Sequence, residues 1–127
     1  MSSRRFLRKH LVCYQPKIRD WDGNETSYTF EHYVPDEAFE RAKAKPDAGN
    51  ALAQDIALEH YDELLTDRHW RCCNCGGKAT RLLGHPLPYL HLVQPTIADM
   101  PAPVCPSSFC EKAHLKEYRN GLGGVLA

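Results

Sequence analysis

Two cysteine pairs, Cys72-x-x-Cys75 and Cys105-x4-Cys110, are the side chains of this sequence best placed to do chemistry. Zn²⁺ takes four ligands tetrahedrally, and each pair can clamp one edge of that tetrahedron. The flanking residues suit the same use. Gly76 and Gly77 follow the first pair, where tight backbone turns can aim amide N–H groups at sulfur. Ser108-Phe109-Cys110-Glu111 fits a capping box, with Ser108 as N-cap and Glu111 at N3. It predicts a helix from Phe109 to Asn120, with Gly121 as its C′ residue and Lys116 and Arg119 near the negative end of the dipole. Cys110 then falls in the first turn, where free N–H groups and the dipole lower a thiol pKa. Cys105, just before the helix, can reach the same ion. The expected metal ligands are therefore Cys72, Cys75, Cys105 and Cys110, with zinc as the cofactor.

Four neighbouring residues offer variations. Cys73 could replace Cys72, although Cys-x-Cys is the rarer zinc spacing. His114 lies four residues after Cys110 on the same helical face, placed to be a ligand or to hydrogen-bond one. A non-ligand role is favoured, because four thiols already complete the shell. Cys13 stands alone in a β-like run and reads as a small core residue. His60 reads as a buried histidine bonded to a neighbour, since no cysteine or carboxylate is fixed to it by spacing.

The elements that must position these groups are legible in outline. His10 to Ile18 reads as extended, ending near a turn at Asp22-Gly23-Asn24. Ser27 to Val34 alternates, with Tyr28, Phe30, His32 and Val34 on one face, which is a half-buried strand pattern able to pair with the first stretch. Pro35-Asp36 starts a helix from Glu37 to Lys45 with Asp36 as N-cap, stopped by Pro46. A second helix over about 47–66 carries Leu52, Ile56, His60 and Leu64 four apart, with Ala53, Ala57 and Tyr61 widening the stripe. Six of the nine prolines fall between Pro86 and Pro106. There, Arg81 to Leu83 and Tyr89 to Val93 read as a hairpin or two extended strands joined by a proline-stiffened loop.

Bringing Cys75 to Cys105 closes a loop of 29 intervening residues, at a cost on the order of 3 kcal/mol. Structural zinc contributes roughly 10–16 kcal/mol in small fingers. Without metal that loop would rest on a thin apolar cluster of Leu82, Leu83, Leu90, Leu92, Val93 and Phe109. The C-terminal half is accordingly expected to lose its fold when stripped of zinc.

At 127 residues the chain suits one compact domain or two small halves, a strand-and-helix region over 1–67 and a zinc-binding region over 68–127. Its net charge of zero is segregated: +6 over residues 1–19, −10 over 20–67 and +4 over 68–127. The basic arm could steer towards nucleic acid, an acidic partner or a membrane surface, or could pack near the acidic middle. No stretch is long and apolar enough to insert in a membrane, and no secretory h-region follows Arg4, Arg5, Arg8 and Lys9. The expected location is intracellular, cytoplasmic or nuclear. A mitochondrial presequence is the alternative for the Arg-rich start, against which Pro16 and the early polar residues break up an amphipathic helix.

The order of cysteine knuckle, paired strands and helix with ligands at its start resembles a treble-clef zinc finger over about 70–120. The Cys-Gly knuckle, Tyr89-Leu90-His91-Leu92 and Pro103-Val104-Cys105 with Cys110 also resemble small fungal proteins with MYND-type fingers. That resemblance implies a zinc-dependent protein-interaction module. The full MYND pattern uses seven cysteines and a histidine around two ions, whereas this chain supplies ligands for one.

The expected fold class is α+β, with a helical and short-strand N-terminal half and a treble-clef-like C-terminal half. A zinc ion closed by four thiolates has no open position for substrate, so a structural site in a non-enzymatic adaptor is expected, with a protein partner. Trp70, Tyr89, His91 and Tyr118 could decorate the finger, although each singly is better explained by packing. Nucleic-acid binding through Arg68, Arg71, Lys78 and Arg81 is the alternative. A zinc deaminase would need His-x-Glu and Pro-Cys-x-x-Cys; His60-Tyr61-Asp62 has the wrong acid and Val104 precedes Cys105. A dithiol oxidoreductase lacks its βαβ setting.

Overall fold

The computed structural model describes residues 9–116. Among the described residues, seven strands and three helices follow in the order β1 (Lys9–Arg19), β2 (Glu25–Ser27), β3 (Phe30–Pro35), α1 (Asp36–Ala44), α2 (Pro46–Asp67), β4 (Arg81–Leu83), β5 (Leu87–Tyr89), β6 (Thr96–Asp99), β7 (Ala102–Val104) and α3 (108–116). No helix among the described residues is long and apolar enough to cross a membrane.

β1 is the axis of the fold. On one edge it pairs antiparallel with β3 and then β2, and on the other it pairs parallel with β6, which in turn pairs antiparallel with β5. The strand expected over Ser27 to Val34 is thus split in two, yet β2 and β3 keep one register against β1: Tyr14 faces Phe30 and Lys17 faces Ser27. Pro16 explains the gap. In that register it faces Tyr28, whose N–H donates to the Pro16 carbonyl at 2.9 Å. Proline has no N–H to return the second bond of the pair, so the ladder lapses there. The turn closing this hairpin is held by Asp20, whose Oδ1 accepts the N–H groups of Asp22 and Asn24.

Alternation along β1 decides which face is buried. Val12, Tyr14, Pro16 and Ile18 are fully covered, while Cys13 projects from the opposite face and is only partly buried, not a core residue as expected. α2 lies against the covered face with Ala53, Ile56, Ala57, Tyr61 and Leu64, and Phe39 and Ala42 of α1 complete that side. Lys45 adopts an extended conformation between the helices because Pro46 excludes the α region for the residue before it. Asp36 is the first residue of α1 rather than its cap. Its Oδ1 instead pairs with His10 Nε2 at 2.7 Å.

Of the two arrangements expected around Pro86, a hairpin or two extended strands joined by a loop, the structure has the second, with the later strand at Leu87–Tyr89 rather than Tyr89–Val93. β4 pairs with β7, and β5 leaves to join β6 in the main sheet. Alternative partners, fixed only in three dimensions, outcompete local pairing of two short proline-flanked strands. Leu82 and Leu90 therefore belong to the central core, while Leu92, Val93 and Phe109 are exposed, so the thin cluster expected around the loop does not exist as such.

Asp99 ends β6 at the point where the chain leaves the main sheet for β7. It is 3% exposed, and its Oδ2 accepts hydrogen bonds from Tyr14 Oη at 2.6 Å and Tyr61 Oη at 2.8 Å. Burial raises the Asp99 pKa and outweighs those two bonds; burial and then Asp99 raise both phenols well above their ordinary range. Because the folded pKa of Asp99 exceeds the unfolded one, the unfolded chain releases this proton first. The residue's contribution is full at low pH and declines as pH rises through the folded value. Asp99→Asn is expected to flatten the fall in urea midpoint above about pH 4; a midpoint that falls as steeply in the variant would refute this. Tyr14→Phe, which removes one donor to a buried carboxylate, is expected to cost about 1–3 kcal/mol in the same assay.

Candidate metal centre

The first cysteine pair sits on a turn pinned from both sides. Before it, Trp70 is 2% exposed and its Nε1–H donates to the Leu64 carbonyl at 2.8 Å, fixing the chain to the end of α2. Trp70 is therefore a core anchor rather than surface decoration. Arg71 then bridges Lys78, the Cys72 N–H donates to Gly77 O at 2.7 Å, and the Gly76 N–H donates to Cys72 O at 2.9 Å. Gly76 has φ +77°, a conformation that favours glycine. The Gly77 N–H points back at Cys75 Sγ at 3.4 Å, as the two glycines implied. The β1–β2 turn lies against this knuckle: the Trp21 ring covers Gly76, and Asp22 takes two bonds from Arg71 Nη1 at 2.8 and 3.1 Å.

The second pair arrives from another direction. Cys73 N–H donates to Pro103 O at 2.8 Å, so β7 runs beside the knuckle and delivers Cys105 directly after Val104. α3 then presents Cys110 in its first turn. Its cap is one residue earlier than expected. Ser107, not Ser108, accepts the Phe109 N–H on its Oγ and the Glu111 N–H on its carbonyl. Glu111 turns away from the cap to Arg81, whose Nη1 lies 3.0 Å from its carboxylate while Nη2 donates to Cys105 O. Charge pairing across the β4–α3 junction has displaced the local capping box.

The result is a cluster of four sulfurs, from Cys72, Cys75, Cys105 and Cys110, all within 4.8 Å of one another. Cys75 and Cys105 Sγ are 3.7 Å apart, close to the edge of about 3.8 Å that a tetrahedron with Zn–S near 2.3 Å requires. A disulfide needs about 2.05 Å, and all six cysteines are free. Such a cluster could hold a metal ion structurally. Cys72, Cys105 and Cys110 are buried and Cys75 is exposed. Cys73 and His114 lie outside the cluster; His114 lines a cavity beside α2 and β4 instead.

The four thiols are not equivalent. Burial pushes the Cys72 thiol up, but backbone hydrogen bonds from Cys75, Asn74 and Cys105 outweigh it and bring it down to about 6. Asn74 Nδ2 donates to Cys110 Sγ at 3.3 Å, which lowers that thiol's pKa. Desolvation and the other three sulfurs prevail and push it up to about 12. The lowering expected for Cys110 from its helical position is reversed, because desolvation and then the neighbouring sulfurs outweigh it.

Sequence reasoning missed a second convergence. His32 of β3 and His60 of α2 face each other, with Glu59 beside them. Both histidines occupy inward positions of their elements, but only the packing of α2 on β3 brings them together. No family model matches this chain, and no curated protein or solved structure is significantly similar to it.

Gly76 and Gly23 provide a controlled pair, since both have positive φ, +77° and +79°. A Cβ at Gly23 meets nothing within 4 Å, whereas one at Gly76 comes within 3.1 Å of the Trp21 ring. Gly23→Ala should cost the backbone term alone, about 1–2 kcal/mol. Gly76→Ala should cost more and also weaken metal retention. Chemical denaturation and a chelator competition check both, and equal costs would refute the Trp21 contact.

Proposed function

We propose that this chain is a zinc protein whose four-cysteine centre is structural and of treble-clef type, and that it serves as a non-enzymatic adaptor for a protein partner. The observation that carries this reading is the convergence of four sulfurs within 4.8 Å of one another, with Cys75 and Cys105 Sγ 3.7 Å apart, close to a tetrahedral edge. Four thiolates leave zinc no position for water or substrate, so the ion's work is to hold chain segments together. The order of knuckle, antiparallel β4–β7 pair and α3 supports the treble-clef assignment. Free cysteines suit a reducing, intracellular compartment.

A protein partner is favoured over nucleic acid by what surrounds the centre. Arg71 and Arg81, two of the cations flanking the knuckle, are engaged by Asp22 and Glu111. Beside α3, a cavity of about 250 Å³ is bordered by Leu58, Met100 and Leu115. Those three side chains are exposed by 54%, 71% and 37%, an apolar rim suited to one side chain of a partner.

Native mass spectrometry of the full chain should find one zinc retained by the sulfur cluster and lost on chelation. In a Cys75→Ala, Cys110→Ala double variant that ion should be absent. Because β5 and β6 belong to the main sheet, amide protection should vanish in the knuckle, β7 and α3 but persist in β1 and β6. A double variant that keeps its near-UV dichroism and α3 protection would sink the structural role. Partner binding that weakens steeply with added salt would turn the reading towards nucleic acid.

A further inference from the structure

His32 Nε2 and His60 Nε2 lie 2.5 Å apart, with their rings perpendicular at 88°. Each ring's other nitrogen faces a carboxylate: His60 Nδ1 is 3.2 Å from Glu63 Oε2 and His32 Nδ1 is 3.8 Å from Glu59 Oε2. With a proton on each Nδ1 directed at its carboxylate, the two Nε2 lone pairs point into the same space. Lone pairs so opposed repel unless a proton shared as a hydrogen bond or a metal cation lies between them. A carboxylate behind an imidazole, as Glu63 lies behind His60, also characterises metal-binding histidines, where it fixes the tautomer and raises basicity.

We propose that His32 and His60, through Nε2, together with the Glu59 carboxylate, form a second site for a divalent transition-metal ion such as Zn²⁺. One ligand atom from each of these three residues lies within 4.8 Å of the others. Two nitrogens at about 2.05 Å from one ion stand about 3.3 Å apart, so the rings separate by less than 1 Å when it enters. Glu59 Oε2 lies on the Nδ1 side of His32, so to ligate the ion it leaves that 3.8 Å contact to water; its side chain, 67% exposed, has the freedom to swing, whereas the histidine side chains are only 20% and 14% exposed. His60 is held by stacking on Phe30, with ring centroids 4.0 Å apart, and Glu63 is a positioning residue that holds its tautomer. Nitrogen and oxygen donors suit Zn²⁺, Co²⁺ or Ni²⁺, and solvent completes the shell because the protein supplies three ligands. The site shares no residue with the sulfur cluster and stands independently of the function proposed above.

Co²⁺ titration of the full chain separates the two sites, since thiolate ligation gives intense near-ultraviolet charge transfer and imidazole–carboxylate ligation does not. With sub-millimolar Zn²⁺, the ¹⁵N resonances of His32 and His60 should shift at Nε2 in the wild-type protein. A second ion should be counted beyond any held by sulfur. His32→Gln should abolish that ion, and the exposed Glu59→Gln, which leaves packing intact, should weaken it at least about tenfold. Glu63→Gln should weaken it about 10- to 100-fold without changing the number bound. The proposal is overturned if the wild-type imidazoles do not shift, or if the second ion binds equally well in His32→Gln and Glu59→Gln. A shift confined to one ring would equally overturn it, leaving a histidine–histidine hydrogen bond as the role of the pair. Loss of the sulfur-bound ion alone would leave this result unchanged, so the two readings fail separately.

Discussion

The parallel pairing of β1 with β6 is the constraint on which the structure depends. These strands are separated by most of the chain, and their alignment places Tyr14 and Asp99 within one buried network that also includes Tyr61 of α2. A carboxylate removed from water is costly unless donors meet it, and two phenols supply them. The network joins sheet, helix and the exit towards β7 at one point. From Asp99 onward the path of the chain is set: a short passage through Met100 and Pro101, then β7, then Cys105.

The sulfur cluster depends on a different balance. Its apolar surroundings are small, consisting of Val104 with part-buried Leu83 and Cys73 around the sulfurs themselves. Backbone bonds position the four thiols but do little to hold α3, whose Phe109 is 74% exposed. Segments that bring so little apolar surface together need another source of cohesion, and a metal ion is one that this set of four thiols could hold. The main sheet and its helices have an ample core of their own. The two regions thus differ in what stabilises them while sharing one continuous chain through β6 and β7.

Electrostatic pairing stitches these regions at their margins. Asp22 on Arg71 and Trp21 over Gly76 seat the first hairpin's turn on the knuckle, and Glu111 on Arg81 seats α3 on β4. The segregation of acidic and basic residues along the sequence finds part of its explanation here, since the acidic turn and the basic knuckle flanks meet in space. The exposed pairs contribute little stability individually; their value is in fixing how two small surfaces register.

Periodicity and spacing by themselves determined much. The helices over 36–44 and 46–67, the first hairpin and the four thiols now found together were all legible, because each follows from local rules: a 3.6-residue stripe, two-residue alternation, proline stops and ligand spacing. Where local rules compete, the tertiary structure decided. Ser108 and Glu111 form a sound capping box on paper, but Arg81 claims Glu111 and Ser107 takes the cap. The strands around Pro86 could pair with each other or stay apart, and each finds a longer-range partner. Cys13 alternates out of the core because Tyr14, its neighbour, is the residue β1 must bury. His32 and His60 read as two inward-facing residues of separate elements, and only the packing of α2 on β3 turns their nitrogens towards each other. One-dimensional patterns fix what a residue can do within a few turns of its own chain. Which partner it meets is settled by the burial of the whole core.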